Sequence, residues 1–159
     1  MSDLRVYRKW RDDPGLLTAV RGLFTYGPGE DRAAGYVYSA DDGQDWPAGL
    51  AKEGPPLLDD LERTLEARFT IALFQAYRDG AGCDWHSDDA FDAQAILSLG
   101  VTRTFGVRRS GGDGSWTEVE HGDLVYMPPG FQKEWQHCVP IEDVAGERVS
   151  IVFRTVLRS

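Results

Sequence analysis

Residues 148–154 read Arg148-Val149-Ser150-Ile151-Val152-Phe153-Arg154. A strand places alternate side chains on opposite faces. Val149, Ile151 and Phe153 then form a wholly apolar face suited to a core. Arg148, Ser150, Val152 and Arg154 share the other face. Two guanidinium groups pointing beside apolar neighbours are costly inside a protein unless anions meet them. This segment therefore reads as a strand with a core on one side and an anion-holding pocket on the other. The alternative is an edge strand whose arginines make surface salt bridges.

Upstream, short apolar runs alternate with turn residues. The runs are 70–77, 84–88, 95–99, 104–108, 116–119, 124–127 and 134–139, and the last strand extends over 148–157. Asp79-Gly80, Ser110 to Gly114, His121-Gly122-Asp123 and Pro128-Pro129-Gly130 mark the turns. Before residue 70 the pattern is helical. Leu16, Leu17, Val20, Leu23 and Phe24 share a spacing over 14–24, and Leu57, Leu58, Leu61, Leu65 and Phe69 form one stripe after Pro55-Pro56. Tyr36-Val37-Tyr38 is a short strand candidate between them. Helices followed by a run of strands predict an α+β, mainly β chain: a β-sandwich or jelly roll with N-terminal helices packed on one sheet.

The length of 159 residues fits a single domain, 1–159, in which 1–69 precedes a β core over 70–157. No window approaches the run of ~18 apolar residues that a membrane helix needs, so no membrane partner is expected. Met1-Ser2-Asp3-Leu4-Arg5 lacks a secretory apolar run. Two cysteines, Cys83 and Cys138, without framework spacing point to a reduced, cytoplasmic compartment. A formal net charge of −9 argues against a general polyanion surface. Arg103, Arg108 and Arg109 lie close enough in sequence for a local basic strip, or are solvated strand positions.

There are three histidines, His86, His121 and His137. His86-Ser87-Asp88 puts an imidazole and a carboxylate on one strand face, and His137 lies in a later strand. Two histidines and one carboxylate form the set that holds iron(II) on one side and leaves the opposite positions open. Cys83, His86, His137 and Cys138 leave a zinc reading open, although adjacent strand residues 137 and 138 point to opposite faces. A dicarboxylate co-substrate would supply an anion for one of the two arginines, and the ligating aspartate an anion for the other. Gln75 and Tyr77, on one face of the 70–77 strand, are placed to hydrogen-bond the same carboxylate.

The chain resembles the AlkB family of iron(II)- and 2-oxoglutarate-dependent dioxygenases. The resemblance rests on Tyr77-Arg78, Asp84-Trp85-His86-Ser87-Asp88-Asp89, Ser98-Leu99-Gly100, Thr102 to Phe105, Gly122-Asp123-Leu124, Trp135-Gln136-His137 with Val139-Pro140, and Arg148 to Val156. It extends weakly to Tyr26-Gly27, Tyr36 to Ser39 and Trp46-Pro47, where that family carries a base-recognition lid. The subgroup it looks most like repairs alkylated bases in DNA and RNA. The resemblance implies a double-stranded β-helix, with His86, Asp88 and His137 as iron ligands. It implies Tyr77 and Arg148 at the distal carboxylate of 2-oxoglutarate, and Arg154 nearer the metal. It implies Trp85, Asp89 and Arg103 around the substrate, with Tyr36 and Tyr38 offering the aromatic stacking used for flipped bases. O2 is the second co-substrate.

The chain departs from that pattern at three positions. Gln75 and Ser150 stand where the family usually has Asn, and Ala90 stands where the subgroup usually has Glu. The segment before the core is also short. The expected activity is oxidative demethylation of alkylated nucleobases, preferably in single strands, because the net charge gives little grip on a duplex. Two alternatives remain: hydroxylation of a small molecule or protein side chain, and a non-catalytic jelly-roll module with a structural metal.

Overall fold

The computed structural model describes residues 4–156. The strands are β1 (Arg5–Tyr7), β2 (Arg32–Ser39), β3 (Ile71–Arg78), β4 (Cys83–His86), β5 (Phe91–Gly100), β6 (Arg103–Arg109), β7 (Ser115–Val119), β8 (Leu124–Met127), β9 (Trp135–Val139) and β10 (Glu147–Val156). The helices are α1 (Pro14–Arg21), α2 (Gly54–Leu65) and the single turn α3 (Phe131–Glu134). The expected end of the last strand at Leu157 lies outside the described residues, as does the segment Met1-Ser2-Asp3.

The strands form two antiparallel sheets. The major sheet has the order β1-β8-β5-β10-β3-β2, and the minor sheet β4-β9-β6-β7. This is the two-sheet jelly roll expected, with helices on the major sheet. Its outer face carries Phe74, Leu97, Ile151 and Phe153, all with essentially no exposure, against Leu16 and Val20 of α1 and Leu57, Leu61 and Leu65 of α2. Its inner face meets the minor sheet through Ile96, Phe105, Val107, Val125, Val139 and Val152. The alternation along β10 thus divides a helix-covered core from a space between sheets, as residues 148–154 imply.

Local chemistry sets the helix ends. Asp13 caps α1 by accepting the Gly15 N–H at 2.8 Å, and Pro14 occupies the first turn, where its missing N–H costs nothing. Both helices are shorter than the apolar spacing predicts. After Arg21 the chain turns through Gly22 and Leu23 rather than continuing to Phe24. Glu66 adopts φ +51°, which ends α2 before Phe69. The Glu62 carboxylate accepts the Phe69 N–H at 2.9 Å, and the Phe69 ring still packs edge-on against Phe153. The β2 strand is longer than the Tyr36–Tyr38 expectation, with an irregularity between Ala34 and Val37. The predicted 134–139 strand begins only at Trp135, because residues 131–134 make a helical turn.

One tight approach fixes the loops beside the pocket. Gly80 has φ +81°, and a Cβ there would lie 1.7 Å from the Glu142 carbonyl oxygen. Only glycine lets the β3–β4 turn lie against the segment after β9.

Candidate active site

Register places the polar positions of three strands side by side. Ser150 of β10 pairs with Gln75 of β3 and Ser98 of β5, while Arg148 pairs with Tyr77 and Gly100. Across the interior, β4 and β9 bring His86 opposite His137. A cavity of about 240 Å³ opens between the sheets. His86, Asp88, His137, Gln75, Tyr77, Arg148, Ser150 and Arg154 all line it.

The ligand atoms of His86, Asp88 and His137 lie within 4.8 Å of one another. Asp88 Oδ2 is 3.2 Å from His137 Nε2 and 3.8 Å from His86 Nε2. His86 Nδ1 lies 2.7 Å from the Asp84 carbonyl, so this nitrogen donates and Nε2 faces the cluster. The buried His137 ring stacks on Phe105 with centroids 5.9 Å apart. Burial pushes Asp88 upward. Hydrogen bonds from His137 and Gln94 and the charge of Arg154 outweigh it and hold the carboxyl well below the usual range. Burial pushes His137 below the usual histidine value, against the pull of the neighbouring Asp88 carboxylate. The Cys83 thiol at Nδ1 drives His86 up to about 9 against its burial, and the Asp84 carbonyl adds to this, so a metal at Nε2 would have to displace a proton there. Two imidazoles and one ionised carboxylate, grouped on one side of a cavity, fit iron(II). Among the described residues neither cysteine joins this group, so the Cys2His2 zinc arrangement is not formed.

Asp88 is held from three directions. Gln94 donates its amide N–H to Oδ2 at 3.0 Å, Arg154 lies 3.6 Å from Oδ1, and the Asp88 backbone N–H donates to Gln132 Oε1 at 2.9 Å. Arg154 Nε in turn donates to Gln94 Oε1 at 2.6 Å. Gln94 and Gln132 are functional neighbours that sequence reasoning did not single out. Gln94 lies just before the apolar 95–99 run, where nothing in the sequence marked it.

Arg148 is the most telling side chain. It is 4% exposed, yet among the described residues the one hydrogen bond it makes is to the Ser98 hydroxyl, which accepts from Nη2 at 3.0 Å. Its Nε has no partner. No carboxylate of the described residues pairs with it, and burial pushes the guanidinium down to about 10. Its Cζ lies 5.7 Å from the centre of the Tyr77 ring, and the Tyr77 hydroxyl faces Gln75 Oε1 at 3.5 Å. A buried cation with so little compensation calls for an anion in the cavity. Ser150 beside it is short, which leaves room for one.

The remaining sequence candidates are placed elsewhere. Arg103 is 2% exposed: it donates to the carbonyls of Gly80, Ala81 and Pro140 and pairs with Glu142 at 3.0 Å. It is a buried clamp between loops and does not line the cavity that holds the cluster. Tyr38 stacks on Trp46 at 4.3 Å and packs into the helix-side core, so it cannot stack a base at the metal cluster. Tyr36 is exposed and lines neither this cavity nor the one adjoining it. Trp85, next to His86 on β4, contacts Arg108 and Trp116 instead of the cavity. Asp89 is exposed in the turn after Asp88. With Arg103 inside, Arg108 on Trp85 and Arg109 over Trp135, the three arginines do not form one strip. His121 lies away from the cluster, accepting the Gly100 N–H at 3.0 Å and donating to the Asp12 carbonyl.

Residues 19–154 match the profile of the 2OG-Fe(II) oxygenase superfamily. The chain belongs to this superfamily. Alpha-ketoglutarate-dependent dioxygenase alkB homolog 3 of Rattus norvegicus is 37% identical over 113 residues, covering 60% of this chain and 38% of that protein. The Homo sapiens protein of the same name is 36% identical over 122 residues, covering 64% and 43%. DNA oxidative demethylase ALKBH2 of Mus musculus is 27% identical, covering 99% of this chain and 68% of its own. The chain thus spans about two fifths of the alkB homolog 3 proteins. Among solved structures, OsALKBH1 aligns with a TM-score of 0.64 at 14% identity, covering 98% of this chain and 99% of that one. An oxidoreductase of the 2OG-Fe(II) oxygenase family from Burkholderia pseudomallei aligns at 0.66 and 14%, covering 95% and 84%. These last two speak for the fold alone. The AlkB resemblance and the jelly roll are both borne out.

Proposed function

We propose that this 2OG-Fe(II) oxygenase demethylates alkylated nucleobases in single-stranded nucleic acid. His86, Asp88 and His137 would hold iron(II), and Arg148, Tyr77, Gln75 and Ser150 would hold the distal carboxylate of 2-oxoglutarate. The observation that carries the cofactor chemistry is the buried, anion-less Arg148 facing the same cavity as the His-Asp-His cluster. The alkB homolog 3 and ALKBH2 relatives support the substrate.

The roles follow from contacts. Arg148 neutralises a carboxylate in a site too dry to leave it unpaired, and the neighbouring polar groups orient it. Gln94 and Arg154 keep Asp88 ionised and fixed, so it faces the metal position without reorganising. Ile96, Phe105, Val139 and Val152 exclude water from the reacting centre. When bound, iron(II) supplies the oxygen activation that couples oxidation of 2-oxoglutarate to succinate and carbon dioxide with insertion of one oxygen atom into a substrate C–H bond. On an N-methyl group the product is an N-hydroxymethyl group, which breaks down to the free base and formaldehyde.

The preference for single strands rests on the net charge of −9 and on the withdrawal of Arg103 into the protein. The same acidity favours a second reading, hydroxylation of a small molecule or protein side chain. A panel of methylated oligonucleotides, single and double stranded, with methylated nucleosides, iron(II), 2-oxoglutarate and ascorbate separates the two by mass. Loss of a methylene mass from the base with matching succinate supports demethylation. Succinate release coupled to no methylated base supports the hydroxylase.

A further inference from the structure

Tyr77 lies between two arginines. Arg148 approaches its ring from the buried cavity, and Arg32 of β2 approaches it at 5.7 Å from outside. Arg32 pairs with Tyr77 across the β2–β3 ladder and donates to the Gly82 carbonyl at 2.9 Å, so its side chain is fixed as well as exposed. Among the described residues no carboxylate comes within ion-pair distance of it, although Glu30, Asp31 and Asp79 are near in the fold.

Arg32 also occupies a junction. An outer cavity of about 540 Å³ adjoins the metal-bearing one, and Gln75, Tyr77 and Cys83 are walls of both. A further cavity of about 320 Å³ continues outward past Asp31 and Arg32 to Ile141. Among the described residues Arg32 is the one cation lining either outer cavity, and the other charged walls, Glu30, Asp31 and Asp79, are acidic. A track with one fixed, unpaired cation among carboxylates accepts a single anionic group and repels a run of them. Its first compartment is large enough for a base leading toward the metal cluster.

We propose that Arg32 is a phosphate subsite for the one phosphate next to the methylated base. The protein thus recognises its substrate at the scale of a single nucleotide. This rests on the demethylase reading above and adds to it the group that anchors the substrate. Arg148 serves the co-substrate carboxylate on the inner side of Tyr77, and Arg32 serves the substrate phosphate on the outer side.

Two readouts test it. Turnover of N1-methyladenosine is compared with that of its 3′- and 5′-monophosphates. Separately, adenosine and adenosine monophosphate are titrated calorimetrically into the protein, which needs no turnover. A charge-assisted contact of this kind predicts about a tenfold preference for the nucleotide in both. In Arg32→Ala the nucleotide-to-nucleoside ratio should collapse to about one, and Arg32→Lys should retain part of it. Equal handling of nucleoside and nucleotide by the unaltered protein, or an unchanged ratio in Arg32→Ala, overturns the subsite. If the carboxylate of a dicarboxylic acid competes as well as the nucleotide does, a general anion site replaces the phosphate assignment. If no methylated base is turned over but the binding preference stands and depends on Arg32, the subsite survives and the demethylase reading fails.

Discussion

At the residue scale, Arg148 is the side chain whose environment demands a partner. Arg148 is buried with one neutral acceptor, so the co-substrate carboxylate completes its environment. Arg148→Gln should raise the apparent KM for 2-oxoglutarate on the order of 100-fold, the range seen when one member of a buried charged pair is lost. Steady-state succinate release across a 2-oxoglutarate series measures this, and an unchanged KM would place the co-substrate elsewhere. Gln94 tethers both Asp88 and Arg154, so Gln94→Leu should weaken iron(II) binding by about 10- to 100-fold while leaving the fold intact. Anaerobic metal titration followed by circular dichroism checks both halves of that statement. The triad was legible because a His-x-Asp pair and a distant His make an iron-ligand set, although β4 ends at His86, short of the expected 84–88 strand, and Asp88 lies just beyond it. The paired arginines were legible because they share a parity with Ser150. Gln94 and Gln132 were not, because neither a glutamine at the edge of an apolar run nor one in a polar helical turn carries a sign of which atom it will meet. Tyr38 was misplaced for a related reason: its parity within β2 says nothing of which face meets the helices. Its ring belongs to the Trp46 stack on the helix side.

At the element scale, the loops around the pocket are held by clamps rather than by regular pairing. Arg103 on β6 joins the β3–β4 turn to the segment after β9 through three carbonyls and Glu142. Arg103→Met should cost about 3 kcal/mol of stability, the low end for breaking a buried pair because Glu142 is partly exposed. Urea denaturation measures it, and a loss below about 1 kcal/mol would show the clamp to be dispensable. Burial raises Glu142, but the Thr104 N–H and hydroxyl and the Arg103 guanidinium outweigh it, so its folded value is depressed. Asp123 behaves alike, with burial outweighed by the N–H groups of Glu120 and Lys9 and by Arg8. A depressed carboxylate contributes stability that is full above its unfolded value, about 4, and is lost as pH falls through the folded value. Urea midpoints should therefore fall below about pH 4, and Asp123→Asn should flatten that slope. A flat profile in the unaltered protein would contradict the role given to both carboxylates. The strand series was readable from alternation and turn residues. Helix ends were not, since Glu66 in the left-handed region stops α2 while Phe69 keeps its core position by a different route.

At the scale of the whole molecule, a jelly-roll scaffold carries a net acidic charge. The two sheets enclose the polar pocket, and the helices spend their apolar faces on the far side of the major sheet, away from the chemistry. With net charge −9, few phosphates can be neutralised, so any oligonucleotide activity should show a shallow salt slope and favour single strands. Efficient duplex turnover with a steep slope would contradict that. The fold class and the cofactor pocket could be read from residue order, because both follow from parity along strands. The outer cavities could not, because they arise where β2 and the β3–β4 turn approach each other in space.

The most direct test of the central claim follows the methylated base and the co-substrate together. A methylated single-stranded oligonucleotide is incubated with the protein, iron(II) and 2-oxoglutarate, and base mass and succinate are read from the same reaction. Demethylation matched by succinate, dependent on iron and abolished in His137→Ala, is the result predicted. Full turnover in His137→Ala, or demethylation without iron, would contradict it.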